Sequence, residues 1–306
     1  MLSRVAERVY WMSRYLERAQ DTARLTQTYS HLIMDLPKGA EPPWHIMVDI
    51  LDAQAAFSAK YRQGSEKNVL KFLIADQTNP ASIPFSVRAA RENVRTTRDV
   101  LPDEAWELVN ELYLYVKDNA EKSAGRRLRY DFLSEVISRC QMINGLLMDS
   151  LSRDHAYGFV KLGRLVECAD MTTRIVDVGA GNIMTRSEQS AAIDPLLWGA
   201  LLKGLSAATA YRRAMGPIVE KEAAIDFIFK DTAFPRSVKY CLRGIIEELP
   251  WLKNHGPTMK VAEKLRRELG RLDPEAMTPQ QVHEYIDDFQ HQLSRLHTAI
   301  QTTWFS

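Results

Sequence analysis

Cysteine is scarce in this sequence of 306 residues. The three present, Cys140, Cys168 and Cys241, lie far apart and form no CxxC pair, which argues against a disulfide-stapled secreted scaffold and against a cysteine zinc site. Net charge is equally lacking. With 40 basic residues against 39 acidic ones, no general attraction to nucleic acid or to an anionic membrane is expected. No apolar run approaches the roughly 20 residues of a membrane span, and Arg4, Glu7, Arg8 and Arg14 interrupt any run of signal-peptide length. The expectation is a cytoplasmic protein with free thiols.

Catalytic signatures are missing too. There is no GxxxxGK phosphate loop, and the VGAGN stretch at 178–182 lacks the strand-to-helix context of a dinucleotide fingerprint. No nucleophile elbow and no HExxH occur. His283, Asp287 and His291 recur at i, i+4, i+8, a spacing able to grip a metal, but the stretch is polar and reads as a solvated helix face. Cys168 follows Glu167, yet the next turn is apolar and supplies no base, so it reads as a buried inert thiol. Neither a metal nor a cofactor is expected.

What the sequence does contain is helical period. Val5, Val9, Met12, Leu16, Ala19 and Ala23 are spaced by three or four, which stacks them in one stripe. No segment alternates apolar and polar residues as a half-buried strand does. Breaks are expected at Pro37, Pro42-Pro43, Pro80, Pro102, 178–182, Gly216-Pro217, Pro235, Gly256-Pro257 and Pro279. Leu101-Pro102-Asp103 and Thr278-Pro279 look like helix starts. The reading is all-α, with about a dozen helices.

The chain is also written twice. RYLERAQDTAR (14–24) and RLVECADMTTR (164–174) share Arg, Glu, Ala, Thr and Arg at an offset of 150 residues. Trp44, Leu51, Ala53 and Phe57 match Trp198, Leu205, Ala207 and Tyr211 at 154; Asp76…Ser82-Ile83 matches Asp231…Ser237-Val238 at 155. Offsets that grow in order indicate a tandem duplication, with repeats at 1–153 and 154–306 packed about a pseudo-twofold axis. No Gly/Ser-rich or charged linker marks the join, so one merged bundle and two separable domains are equally compatible with the sequence.

Two polar clusters are candidate sites. Arg14, Glu17, Asp21 and Arg24 fall within about an 80° sector of one helix, and Arg164, Glu167 and Arg174 repeat the stripe, with Met171 in place of Asp21. It reads either as a solvated face laced with i,i+4 ion pairs or as a buried network that joins the halves or lines a pocket. Tyr10, Trp11 and Tyr15, off the main apolar stripe, favour a covered face. Arg88, Arg91, Arg95 and Arg98 form a basic ridge with Glu92 and Asn93 beside it, able to bind phosphate, a carboxylate or an acidic surface. If the chain is an enzyme, Glu17 and Glu167 are the carboxylates to name, as a pair sharing a proton.

The block MLSRVAERVYWMSRYLERAQDTAR, with NPASI, RAARENVR and a duplicated Arg-x-x-Glu helix, resembles the alpha-E family over essentially the whole chain. These are bacterial all-helical proteins named for a Glu-Arg motif and typically duplicated in tandem. The resemblance places that motif on Glu17 and Arg18. In the second copy Glu167 is followed by Cys168, and an AEN near the family's start reads Ala6-Glu7-Arg8 here. It implies no established activity, and gene neighbours that include circularly permuted ATP-grasp ligases, transglutaminase-like proteins and Ntn-hydrolase peptidases. The leading expectation is a non-catalytic helical partner of an ATP-grasp amide ligase in peptide synthesis or modification. The alternatives are an enzyme of that pathway using Glu17 and nearby arginines on a carboxylate or amide, and a module binding a small anionic metabolite at the Arg88–Arg98 ridge. A homo-oligomer is compatible with all three.

Overall fold

The computed structural model describes residues 2–184 and 193–306. Among these the chain forms fourteen α-helices and no strand, so the all-α reading is correct. They are α1 (Ser3–Asp35), α2 (Ile46–Ile50), α3 (Gln54–Ser58), α4 (Glu66–Ile74), α5 (Ile83–Arg95), α6 (Asp103–Ser123) and α7 (Arg126–Ser150). Then come α8 (His155–Met184), α9 (Asp194–Gly204), α10 (Ala208–Met215), α11 (Lys221–Lys230), α12 (Val238–Glu248), α13 (Gly256–Leu269) and α14 (Pro279–Trp304). Two of them, α2 and α3, are five-residue turns. No helix among the described residues is long and apolar enough to cross a membrane.

At 33 residues α1 is about 50 Å long. Its apolar stripe is buried as the period requires, with Val9, Met12, Leu16, Ala19 and Ala23 wholly inaccessible. The opposite stripe is buried as well, because α5, α7, α8 and α9 surround the helix. In turn α8 is surrounded by α1, α2, α12 and α14. The short helix α2 of the first half therefore packs on α8, while α9 of the second half packs on α1. The two halves interlock, and one apolar core runs through both.

The central crossing is close. A Cβ added to Gly163 of α8 would stand 2.3 Å from the Tyr10 carbonyl oxygen and 3.2 Å from Ser13 Cβ. Ser13 and Gly163 are separated by the same 150 residues that separate Arg14–Arg24 from Arg164–Arg174.

Local construction repeats in register. Ser82 and Ser237 each cap a helix, accepting from the amides of Phe85 and Tyr240. Each also donates to an upstream carbonyl, that of Asp76 or Asp231. Asp52 and Ser206 each adopt a left-handed backbone, at φ 51° and 56°, and each is followed by an amide reaching five residues back, Ala53 to Val48 and Ala207 to Leu202. That is the bond pattern of a Schellman-type helix end. Thr278 opens α14 with a reciprocal capping box to Gln281, with Pro279 in the first turn.

One expected break does not occur. The backbone stays helical through 178–182. A helical glycine costs about 1 kcal/mol relative to alanine, but Gly179 lets α9 approach: a Cβ there would lie 3.2 Å from Leu201 Cδ1. Tertiary packing overrides the local signal.

Gly163→Ala should lower stability by about 1–3 kcal/mol or more, since backbone, and not a movable side chain, blocks the methyl. Gly145 of α7 has nothing within 4 Å of the position a Cβ would take, so Gly145→Ala should be stabilising by about 0.5–1 kcal/mol. Urea unfolding checks both, with the midpoint moving in opposite directions at constant m-value.

Candidate functional site

On α1, Arg14, Glu17, Asp21 and Arg24 are at most 6% exposed, and Glu167 on α8 is 1% exposed. Burying such groups is costly unless every charge is paired and hydrogen-bonded. Here they are paired across the chain. Glu167 accepts from Arg14 Nε at 2.6 Å, from Arg18 Nε at 2.6 Å and from Arg18 Nη2 at 3.1 Å. Glu17 meets a residue that the sequence reading did not single out: Arg236, in the loop before α12, donates through Nη1 to Glu17 Oε1 at 2.6 Å and through Nη2 to Asp21. Arg24 closes on Asp21 at 3.0 Å. Arg174 donates to Asp170 at 3.1 Å and stands 3.5 Å from Asp52.

The aromatic residues beside the stripe form platforms. The Arg14 guanidinium lies 5.1 Å from the Trp11 ring centre and Arg18 lies 5.5 Å from that of Tyr15, both within cation–π range. Tyr10 is fully buried and its hydroxyl meets His297 Nδ1 of α14 at 2.9 Å. Burial, reinforced by the Arg14 charge, brings His297 down to about 4.

The electrostatics follow from this pairing. Burial would raise the Glu167 carboxyl, but Arg14 and Arg18 overcome it and hold it at about 2. Burial pushes Asp21 up to about 6, with Arg236 opposing the rise and Glu17 adding to it. The two repeated glutamates do not form a proton-sharing pair, since each faces guanidinium groups. Cys168 is buried, and the neighbouring Cys241 of α12 draws its thiol below the ordinary value, while the Cys241 thiol donates to the Pro235 carbonyl.

Other candidates separate. Arg164 is half-buried, and its Nε is buried with no hydrogen-bond partner among the described residues. The ridge is divided, since α5 ends at Arg95 and Arg98 lies in the 3-10 turn beyond it. Arg91 donates to Asn110 at 2.8 Å and lies over Trp106 and Tyr113, while Arg98 lies over Trp106 at 3.8 Å. Glu92 accepts from Arg91 and Arg95, and the Asn93 carbonyl accepts from Thr96 and Thr97. Arg88 and Arg95 remain exposed. His283 meets Asp177 at 2.6 Å, and His291 stands 3.7 Å from Asp287.

Beside the Glu167 cluster lies a solvent-open recess of about 710 Å³. Arg18, Glu167, Asp170 and Arg174 form one wall; Asp52 and the Asn79-Pro80-Ala81 loop form the other.

Glu167→Gln should cost about 3–5 kcal/mol at pH 7, because it leaves Arg14 and Arg18 buried against a neutral group. The folded carboxyl titrates near 2 against an ordinary 4.5. Its contribution is therefore complete above pH 4.5 and is lost as pH falls from there toward 2. The gap between wild type and Glu167→Gln in urea melts should be widest at neutral pH and shrink through that window.

Comparison with known proteins adds relatives without an assigned activity. The chain is 20% identical over 297 residues to uncharacterized proteins of Mycobacterium bovis and of Mycobacterium tuberculosis strains CDC 1551 and H37Rv. Those alignments cover 90% of this chain and 33% of each relative, so the chain spans about a third of the length of the curated relatives it matches. No solved structure matches it significantly. The Alpha-E family, described as a predicted alpha-helical domain with a conserved ER motif, matches residues 1–305. Matched from end to end by that family, the chain belongs to Alpha-E.

Proposed function

We propose that this chain is a non-catalytic helical partner in a bacterial peptide synthesis or modification system, working beside a circularly permuted ATP-grasp amide ligase, with a transglutaminase-like protein as a further associate. The observation that carries the non-catalytic part is the state of the motif glutamates. Glu17 and Glu167 are buried and each is bonded to arginine. A carboxyl held at about 2, as Glu167 is, is a poor proton donor or acceptor at neutral pH. For Glu17 it is the bound Arg236 guanidinium that weighs against the alternative of an enzyme acting through it. The length of the mycobacterial relatives supports the partner reading: there, two thirds of the polypeptide lies outside the matched part, which fits a helical unit that acts beside other domains. The ligase itself is inferred from the family resemblance.

We further propose that the two halves, 1–153 and 154–306, arose by tandem duplication. The paired serine caps, the paired left-handed turns and the crossing at Ser13 and Gly163 support it.

The test mixes wild-type and Glu17→Gln protein with the ligase encoded beside it, reading complex formation, ATP turnover and melting temperature together. The expected result is a micromolar or tighter complex and no turnover by this chain alone. Glu17→Gln should melt several degrees lower, with binding reduced only in step. A variant that folds and binds normally while ligase turnover collapses would assign Glu17 to the chemistry and overturn the reading.

A further inference from the structure

Two places of like construction flank the crossing of α1 and α8. At one, Thr22 of α1 donates to the Ala81 carbonyl, and the turn at Asp52 adopts φ 51°. At the other, Thr172 of α8 donates to the Arg236 carbonyl, and the turn at Ser206 adopts φ 56°. Ala81 and Arg236 are equivalent by this bond and by the offset of 155 residues that relates their loops.

The difference lies in what fills each place. Arg236 sends its guanidinium inward to Glu17 and Asp21, with its side chain 12% exposed. The Ala81 methyl reaches nothing comparable, and the recess of about 710 Å³ stands beside it. The second place thus carries its own occupant, supplied in cis, while the first is open.

We infer that the Ala81 recess is a ligand site and that it takes a small zwitterion, the ammonium and carboxylate of an amino acid or short peptide. The charges select this class. Arg18 spends Nε and Nη2 on Glu167, and Arg174 directs Nε to Asp170 and Nη1 toward Asp52. Arg18 Nη1 and Arg174 Nη2 have no hydrogen-bond partner among the described residues. The acidic side offers Asp52, 73% exposed in its side chain, and Asp170, whose Oδ2 stands 3.9 Å from Arg14 Nη2. A lone anion would meet Asp52, Glu167 and Asp170; a lone cation would meet Arg18 and Arg174. A molecule with both charges finds a partner for each, and guanidinium and carboxylate give the strong, directional hydrogen bonds that such recognition uses. The inference goes beyond the partner reading, because the isolated chain would bind the ligand without the ligase.

The test is calorimetry and thermal shift on the whole chain with glycylglycine, using N-acetylglycine and glycinamide as single-charge controls. Glycylglycine at roughly 10 mM should raise the melting temperature, and each control should bind at least about tenfold more weakly. Ala81→Arg places in this recess the side chain that fills the other, and should abolish the shift. Arg174→Gln, at the recess rim, should weaken binding about tenfold or more, and it decides the question if Ala81→Arg fails to fold. Absence of a shift in wild type, equal binding of the single-charge controls, or undiminished binding in a folded variant would each overturn the proposal. Failure here with an intact ligase complex would leave the partner reading standing, and the converse would leave only the zwitterion site.

Discussion

The buried pairing of Glu167 with Arg14 and Arg18, and of Glu17 with Arg236, is the constraint on which the arrangement of the long helices depends. Apolar packing alone tolerates some sliding of one helix along another, since leucine on leucine is much the same a turn away. A desolvated carboxylate that has lost its water has far fewer acceptable positions. Each of these glutamates must find a guanidinium from another element, so α1 is set against α8 and the α12 loop is set against α1. Replacing such pairs with apolar groups is often neutral or stabilising; their contribution here is to fix register. The absence of a side chain at Gly163 complements them, since the charged groups meet only because the backbones come so close.

Much of the fold was legible in the sequence because helix period and turn chemistry are local. The apolar stripe of α1 and the Leu101-Pro102-Asp103 and Thr278-Pro279 starts stand where spacing and turn chemistry put them. The stretch at 178–182 departs from its local signal because glycine there answers to Leu201, a residue of the next helix. The status of the Arg14–Arg24 stripe was undecided for a related reason. Periodicity says which residues share a face, and says nothing of what lies against that face. Arg236 was missed because a single arginine in a loop has no pattern. Its only signal was comparative: laid on the first half of the chain at an offset of 155, it falls where an alanine stands.

The arginine ridge on α5 shows the same limit from the other side. Its helical spacing holds only from Arg88 to Arg95, and Arg91 and Arg98 share the indole of Trp106 while Arg91 also meets Tyr113, both rings on α6. A planar guanidinium stacks well on such rings, so part of the ridge serves packing between α5 and α6 while Arg88 and Arg95 keep the solvent.

The interlock of the halves has a consequence for synthesis. Residues of α1 cannot acquire their α8 and α9 neighbours until some 150 further residues have been made, which at ribosomal rates takes roughly 8 to 30 s. A helix destined for burial on every side would be an aggregation hazard over that interval if it were apolar all round. Because its second face carries arginine and acid, α1 can wait in water as an ordinary amphipathic helix and give up that water only when its partners arrive.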